Sequence, residues 1–317
     1  MGQILVVENL KKHFTKKNWL GRESSLVRAV DGVSFTVEDG ESFVLAGESG
    51  SGKSTIARLI LRSIEPDAGT VIFDGDEITA KKGDLKKIRM GCQMVYQDPY
   101  ESINPQMKVK DIIAEPLEIH KVGDVKQRVL EVLREVKLEP ADEIMEKYPH
   151  VLSGGQRQRV VLARALVLKP RLIIADEPVS MLDVSIRAEI LELMENLRKK
   201  HGISFVYITH DLATARYFGK RIGILYLGKL VEVGPVDKVL LSPKHPYTQA
   251  LLDAVSELDS KNLNAEKKIR INEPLKIDVY SGCRFRARCP YAFDKCETEP
   301  DLEKIGDRQV ACFAKLD

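Results

Sequence analysis

A glycine-rich stretch, Gly47 to Thr55, carries residue types whose spacing suits the binding of phosphate groups. Its sequence, Gly-Glu-Ser-Gly-Ser-Gly-Lys-Ser-Thr, fits the pattern G-x-x-x-x-G-K-[ST]. Glycines let the backbone curl so that successive N–H groups point inward, and a following helix adds its positive end. Lys53 can reach the terminal phosphates, the Ser54 hydroxyl can bind Mg2+, and Thr55 can bind a phosphate oxygen. The predicted nucleotide-binding residues of this stretch are Gly47, Ser49, Gly50, Ser51, Gly52, Lys53, Ser54 and Thr55.

This phosphate loop needs a strand before it and a helix after it, and the flanking sequence supplies both. Residues 42–46 are a mostly apolar, strand-like run, and residues 54–62 have a helix-like pattern. A Gly/Ser-rich turn in an ordinary α/β domain is the alternative interpretation. Because both flanks fit, the stretch indicates a nucleoside triphosphate site.

Two later strand-like runs end in residues that can act on such a ligand. Residues 172–175 are continuously apolar and lead into Asp176 and Glu177. Residues 204–209 lead in the same way into His210. Buried parallel strands have this pattern, and their carboxyl ends open on the site. In isolation, a strand-end cap or a solvent-facing histidine would be the ordinary interpretation.

The remaining pattern predicts an α/β fold with a helical insertion. Residues 3–9 and 28–37 have the composition of strands, and antiparallel pairing is plausible because no helix connects them. Helical periodicity runs from Lys108 to Ala165. Asp183 is a good N-cap for a helix that ends near His201.

The composition limits the class of protein and its partners. With 317 residues, 49 basic and 47 acidic, the chain can bury a core and has no global charge that attracts nucleic acid. No cleavable signal precedes the first strand, and no run of about 18 apolar residues occurs. We therefore expect a soluble, cytosolic protein with no nucleic-acid partner, in which any membrane role would depend on other subunits.

The motifs occur in a fixed order along the chain. The phosphate loop is followed by Gln97, by Leu-Ser-Gly-Gly-Gln-Arg-Gln-Arg at residues 152–159, by Asp176-Glu177, by Asp183 and by His210. Together they resemble the nucleotide-binding subunit of an ATP-binding cassette (ABC) transporter over residues 1 to about 255. The resemblance implies an α/β P-loop NTPase cassette with a parallel core sheet, an antiparallel β subdomain and an α-helical subdomain. The implied parts are an ABC ATPase domain at 1–235, its helical subdomain at about 98–165, and a small Cys-rich C-terminal extension at 236–317.

The resemblance implies a role for each matching residue. Ser54, Gln97 and Asp176 hold Mg2+, Asp176 doing so through water. Glu177 is the general base, His210 binds the γ-phosphate and orients the water, and Gln97 senses metal and water. Phe14 takes the place of the aromatic residue that stacks on the base. The residues implied to act in trans, on nucleotide held by the opposite chain of a head-to-tail dimer, are Ser153, Gly154, Gly155, Gln156 and Asp183.

The C-terminal sequence narrows the resemblance. The stretch Ser242 to Leu252, containing His-Pro-Tyr-Thr, resembles the extension of oligopeptide and dipeptide importer ATPases. The polar insertion from Lys16 to Ser25 is similar to that of the second of their two paired ATPases. The implied partners are a homologous ATPase subunit in a heterodimer, two membrane permease subunits and an extracytoplasmic substrate-binding protein. The implied location is the cytoplasmic face of the cell membrane.

Four of the five cysteines lie close to the C-terminus. The pattern Cys283-x5-Cys289-Pro-x5-Cys296-x15-Cys312 resembles the iron-sulfur tail of many such ATPases, and four thiolates can ligate a 4Fe-4S cluster. Zinc is the chemical competitor, although the close cysteine pairs of structural zinc sites are absent. Four unligated buried cysteines are the third interpretation. Cys92, alone in a strand-like run, is expected to be a buried core thiol.

The leading prediction is an ATPase subunit that uses ATP and Mg2+ to power import of oligopeptides or dipeptides. Relatives of the peptide importers also carry oligosaccharides or metal chelates, so the cargo stays open. A soluble ABC protein acting on DNA or the ribosome typically carries a long coiled coil or two cassettes, and neither occurs here. A redox-regulated module that only binds ATP is disfavoured by the intact Glu177 and His210.

Overall fold

A computed structural model of the protein describes residues 2–17, 23–79, 85–256 and 280–314. Within these residues the strands are β1 (Gln3–Lys17), β2 (Glu23–Glu38), β3 (Ser42–Ala46), β4 (Ala68–Phe73), β5 (Asp76–Glu77), β6 (Cys92–Val95), β7 (Leu172–Asp176), β8 (Ser204–Thr209), β9 (Arg221–Tyr226), β10 (Lys229–Pro235), β11 (Glu303–Ile305) and β12 (Arg308–Val310). The helices are α1 (Lys53–Ile60), α2 (Leu85–Gly91), α3 (Pro99–Ser102), α4 (Val109–His120), α5 (Val125–Glu135), α6 (Ala141–Ile144), α7 (Gly154–Leu166), α8 (Val184–His201), α9 (Leu212–Phe218), α10 (Val236–Leu241) and α11 (Pro246–Ser256).

The predicted strands are confirmed, and the first two are longer than expected. β1 and β2 extend into the predicted polar insertion, of which residues 18–22 lie outside the described residues. All residues of β3 and β8 are buried, as expected for strands covered on both faces.

The chain divides into two compact units whose segments alternate along the sequence. The first unit contains residues 1–5, 36–41 and 72–207. The second contains residues 6–35, 42–71 and 208–317. The predicted domain division between residues 235 and 236 stays a prediction.

The parallel strand pair of the first unit sets the position of several motif residues. β6 is parallel to β7, with Cys92 opposite Leu172 and Val95 opposite Ala175. Residues that follow Val95 and Ala175 therefore leave the sheet at the same end. The segment that connects the two strands contains α3 to α7, in which α4, α5 and α7 pack on one another. The predicted helical stretch between these strands is confirmed.

The helices of this connecting segment bury the apolar faces that periodicity predicts. Their fully buried residues, with at most 2% exposure, include Ile112, Ile113, Leu117, Val129, Val132 and Leu133. Residues three or four apart share one side of a helix, so these positions form continuous stripes. The same stripes hold α4 and α5 against each other.

The second unit contains the phosphate loop and a sheet with the strand order β11-β12-β10-β9-β3. β3 and β9 are parallel, with Ala46 opposite Ile224, whereas β10 runs antiparallel to both β9 and β12. The C-terminal extension thus contributes β11 and β12 to this sheet. Sequence analysis had not predicted these two strands.

A buried carboxylate ties the extension to β10. Glu232 on β10 is fully buried, and its side chain accepts hydrogen bonds from the backbone N–H groups of Lys244 and His245, both at 3.0 Å. The Arg308 guanidinium of β12 lies 3.3 Å from the same carboxylate. Charge-assisted hydrogen bonds of this kind are the strong ones, since little water competes for them. Most of the predicted charged linker, residues 257–268, lies outside the described residues.

Candidate active site

The phosphate loop curls as its glycines allow. Gly47 has φ +153° and Gly52 has φ +110°, and residues other than glycine rarely adopt these angles. A Cβ at Gly47 would overlap the carbonyl oxygen of Leu225, and one at Gly52 would overlap that of Ala29. The loop therefore needs glycine at both places for conformation and for space.

Lys53 lies inside the curl that these glycines make. Its ammonium donates hydrogen bonds to the carbonyl oxygens of Gly47 at 2.8 Å and Glu48 at 2.9 Å, and the residue is 6% exposed. α1 begins at Lys53, so its first N–H groups and the lysine charge are together. Ser54 is exposed at the next position, and Thr55 is partly exposed. This arrangement can receive a polyphosphate.

Phe14 and His210 also belong to the second unit and are both exposed. Phe14 on β1 is 42% exposed, and the ammonium of Lys12 lies 5.7 Å from its ring centroid. His210 follows β8 and precedes Asp211, whose side chain caps α9 by accepting from the Ala213 N–H at 2.8 Å. The ring of Phe14 is thus partly open to solvent.

Gln97, Asp176 and Glu177 meet at one end of the parallel pair in the first unit. Val95 is opposite Ala175, so Gln97 is level with Glu177 two residues further along each chain segment. Gln97 is exposed, whereas the two acids are half-buried. An amide and two carboxylates are thus at the same end of the parallel pair. Asp176 and Glu177 follow the end of β7, as expected from the sequence, and their role in a nucleotide site stays a prediction.

Glu177 has an unusual backbone conformation. Its φ is +48°, in the left-handed region that residues other than glycine seldom occupy. The Glu177 carbonyl oxygen accepts hydrogen bonds from the Ser180 N–H at 3.2 Å and the Ser180 hydroxyl at 3.0 Å. These bonds hold the strained residue, as is common where a side chain must point in one direction.

The Leu-Ser-Gly-Gly-Gln stretch, residues 152–156, contains the start of α7. The Ser153 hydroxyl accepts from the Gln156 N–H at 3.2 Å, and the Gln156 side chain accepts from the Ser153 N–H at 3.0 Å. This reciprocal capping box satisfies N–H groups that a helix start leaves free. A Cβ at Gly155 would lie 2.8 Å from Ile186 of α8, whereas one at Gly154 would lie 3.6 Å from Leu182. Gly155 is therefore required by close helix packing and Gly154 is not.

Asp183 precedes α8 as predicted, but it does not cap the helix with its side chain. The helix begins at Val184, and the Asp183 side chain makes no capping hydrogen bond. The loop before it is held instead by Arg187, which donates to the carbonyl oxygens of Leu182 at 2.7 Å and Ser180 at 3.0 Å. The exposed Asp183 carboxylate is left for other contacts.

Known protein families match two parts of the chain. The ABC transporter family matches residues 30–180, and the C-terminal region of oligopeptide/dipeptide transporters matches residues 231–296. A di/tripeptide transport ATP-binding protein of Pseudomonas aeruginosa is 40% identical over 98% of this chain and 98% of its own. The chain belongs to the ABC transporter ATP-binding subunits of the oligopeptide/dipeptide transporter family. Its cassette is an ATPase domain.

Two further known proteins are similar to this chain. An oligopeptide transport ATP-binding protein of Salmonella typhimurium is 41% identical over 98% of this chain and 96% of its own. A solved ATP-binding cassette, a dimer in a post-hydrolysis state with ADP and Pi, is 30% identical with a TM-score of 0.64. That likeness covers 73% of this chain and 98% of the solved one. Among the described residues of this ABC subunit, no helix is long and apolar enough to cross a membrane.

The cysteines of the extension line a common cavity with His245 and Phe285. The four are Cys283, Cys289, Cys296 and Cys312. Burial raises the pKa of the Cys289 and Cys312 thiols to about 11. Across the described residues, no three His, Cys, Asp or Glu side chains are arranged to hold a metal ion. Cys92 is 2% exposed, which confirms the predicted buried thiol.

Two residues at the phosphate loop were missed by sequence analysis. Tyr247 accepts a hydrogen bond from the Glu48 N–H at 2.9 Å, and Arg288 lies 3.4 Å from the Glu48 carboxylate. The His-Pro-Tyr-Thr stretch had been interpreted only as a mark of the sub-family. No local pattern could connect it to a residue 199 positions earlier.

Proposed function

We propose that this ABC subunit hydrolyses ATP to power the import of oligopeptides or dipeptides. The main support is the combination of an ATPase cassette with a C-terminal region matched, over residues 231–296, by the oligopeptide/dipeptide transporter family. Relatives of nearly equal length are named for di/tripeptide or oligopeptide transport. Oligosaccharides and metal chelates are the alternative cargoes.

The phosphate loop is proposed to bind the nucleotide. Its N–H groups and Lys53 would hold the phosphates, and Phe14 would stack on the base. Mg2+ would be held by Ser54, Gln97 and Asp176, and it would neutralise charge on the phosphates. Oxygen donors suit this cation, and each of the three side chains offers one.

Glu177 is proposed as the general base for hydrolysis. Its carboxylate would accept a proton from the attacking water, while His210 would bind the γ-phosphate and orient that water. Gln97, level with Glu177 at the end of the parallel pair, would contact the same water. The fixed backbone of Glu177 supports this assignment because a base must be held in one orientation.

The signature residues are proposed to act on nucleotide bound by an opposite chain. They are Ser153, Gly154, Gly155, Gln156 and Asp183. The start of α7 offers N–H groups and a positive helix end to a γ-phosphate. A related cassette has been solved as a dimer, which supports this arrangement. The proposed partner is a homologous ATPase subunit, and the pair would bind two permease subunits at the cytoplasmic face of the membrane. An extracytoplasmic protein would deliver the substrate.

The four C-terminal cysteines are proposed to ligate a 4Fe-4S cluster, with zinc as the alternative. Support comes from the shared cavity that the four thiols line. Their present arrangement is not that of a metal site, so binding would require the side chains to converge. A cluster would serve structure or redox sensing, because ATP hydrolysis needs no electrons.

Substitution of Glu177 tests the hydrolytic role. Glu177→Gln keeps the shape of the side chain but removes the base, so steady-state turnover should fall by roughly 10²- to 10⁴-fold. ATP should remain bound to the variant after gel filtration. The matched control is Glu192→Gln, on the exposed side of α8, which should hydrolyse ATP at the wild-type rate. Unchanged turnover in Glu177→Gln would refute the assignment.

Uptake measurements test the cargo. The chain would be reconstituted in liposomes with the permease subunits and binding protein proposed as its partners, and labelled dipeptides and pentapeptides would be supplied. Peptide uptake that depends on ATP supports the proposal. ATP-dependent uptake of an oligosaccharide or a metal chelate, without uptake of peptide, would refute peptide as the cargo.

Anaerobic purification tests the tail. Absorption near 400 nm with about four irons and four sulfides per chain is expected for the cluster. Zinc in place of iron would support the alternative, a zinc site. A colourless protein without metal would leave the ATPase assignment intact and remove the cluster.

A further inference from the structure

We propose that the C-terminal extension positions the phosphate loop, through Tyr247 and Arg288. Both residues contact Glu48, the second residue of the loop, Tyr247 from the stretch 236–256 and Arg288 from the stretch 280–314. The Tyr247 hydroxyl accepts from the Glu48 N–H at 2.9 Å. The Arg288 guanidinium pairs with the Glu48 carboxylate at 3.4 Å. The inference rests on the proposed binding of ATP by this loop.

Glu48 connects these contacts to the lysine of the loop. Its carbonyl oxygen accepts a hydrogen bond from the Lys53 ammonium at 2.9 Å. The extension thus contacts the N–H and the carboxylate of Glu48. The carbonyl oxygen of the same residue contacts Lys53, the side chain proposed to bind phosphate. A shift of the Glu48 backbone would move the Lys53 ammonium with it, because the Glu48 carbonyl oxygen and this charged group share a strong hydrogen bond.

Tyr247 is itself fixed by aromatic packing. The residue is 1% exposed, and its ring centroid lies 4.4 Å from that of Tyr226 and 5.6 Å from that of Phe285. Phe285 is also 1% exposed and packs edge-on against Tyr226 at 5.4 Å. Tilted and edge-to-face contacts of this kind are favourable beyond the area they bury. The hydroxyl is therefore presented to the loop by a rigid support.

The extension also holds the opposite side of the loop. The Ser51 carbonyl oxygen accepts from the Gly228 N–H at 2.8 Å, in the turn between β9 and β10. The buried Arg284 of the extension donates to the carbonyl oxygen of Leu227 in that turn and pairs with Asp31. Glu48 and the turn behind Ser51 are thus both anchored to the extension. A loop held at both sides loses less conformational freedom when it binds a ligand.

Removal of one hydroxyl tests this positioning role. Tyr247→Phe keeps the packed ring and deletes the acceptor of the Glu48 N–H. The KM and Kd for ATP should rise roughly fivefold, the usual effect of one hydrogen bond, while kcat at saturating ATP changes little. Hydrogen–deuterium exchange of the nucleotide-free protein should increase in peptides that cover residues 47–52.

The matched control deletes a similar hydroxyl elsewhere in the extension. Tyr280 accepts from the Arg28 N–H at 3.3 Å, and Arg28 lies outside residues 47–55 of the phosphate loop. Tyr280→Phe should leave the KM for ATP and the exchange of residues 47–52 unchanged, whatever its effect on melting temperature. An equal rise in KM for both variants would mean general loosening and would overturn the proposal. An unchanged KM in Tyr247→Phe would do the same.

Arg288 provides a second and independent variant. Its side chain is 29% exposed and its guanidinium also lies 5.9 Å from the Phe285 ring centroid, so melting temperatures of the variants are measured beside their KM values. Arg288→Gln should raise the KM for ATP. Arg288→Lys should have a KM close to that of the wild type because it keeps the positive charge. Equal KM values for the two variants would exclude a role for the pairing with Glu48.

Wild-type protein and Lys53→Ala separate this inference from the proposed function. If the wild type binds ATP no better than Lys53→Ala, the loop is not the nucleotide site and the proposed function fails. The exchange experiment contains no nucleotide, so it still reports whether Tyr247 holds the loop. ATP binding with unchanged exchange and KM in Tyr247→Phe would refute only the positioning role.

Discussion

At the scale of single residues, the two neighbouring glycines of the signature are predicted to differ in their tolerance of a side chain. Gly155→Ala should destabilise the protein by about 1–3 kcal/mol, because a Cβ there would lie 2.8 Å from Ile186. Gly154→Ala should be neutral or stabilising, since its Cβ would meet Leu182 at 3.6 Å and alanine favours a helix. Denaturant unfolding of both variants measures the difference.

Shortening the side chain that Gly155 faces provides the control. The double variant Gly155→Ala/Ile186→Ala should recover part of the stability lost by Gly155→Ala, because the overlapping methyl is gone. Equal stability of the two single glycine variants would contradict the role assigned to close packing.

Residue chemistry also explains how much of the candidate site could be predicted. The phosphate loop and the Asp176-Glu177 pair could be predicted because each has a local pattern at the end of a strand-like run, whereas Gln97 was assigned through the family resemblance. The left-handed backbone conformation of Glu177 could not be predicted, because nothing in the sequence Asp-Glu-Pro specifies it. Tyr247 and Arg288 were missed because their partner is brought to them only by the tertiary fold.

At the scale of elements, Glu232 is predicted to hold the extension on the sheet. Glu232→Gln removes the charge that pairs with Arg308 and places an amide against donor N–H groups of residues 244 and 245. Loss of one partner of a buried ion pair typically costs about 3 kcal/mol. Denaturant unfolding should show a loss of this order. Glu146→Gln, which removes an exposed partner of Lys108, should have a much smaller effect.

The elements themselves were predictable in proportion to their burial. β3, β7 and β8 are nearly continuous apolar runs, and the helices before β7 have clear stripes. β11 and β12 have three residues each and mostly polar sequences, so no alternation could reveal them. The pairing of β12 with β10 depends on contacts between residues far apart in the chain.

At the scale of the whole molecule, ATP is predicted to join this chain to a second ATPase. Glu177→Gln with Mg2+ and ATP, co-expressed with its proposed ATPase partner, should elute as a complex with one copy of each. Trapped nucleotide should keep the proposed pair closed, because hydrolysis is proposed to reopen it. Light scattering measures the mass, with nucleotide-free protein as the control. A dimer of two identical chains would contradict the heterodimer, and a persistent monomer would contradict action in trans.

The strands that the extension adds have a consequence for solubility. A strand at the border of a sheet exposes unpaired N–H and C=O groups and can recruit another chain. β12 covers that border of β10, and the sheet then ends in the three-residue β11, where Glu303 and Lys304 are exposed. Charges on a short outer strand oppose further pairing. A chain shortened before residue 303 should therefore aggregate through β10, so the extension also protects the ATPase from self-association.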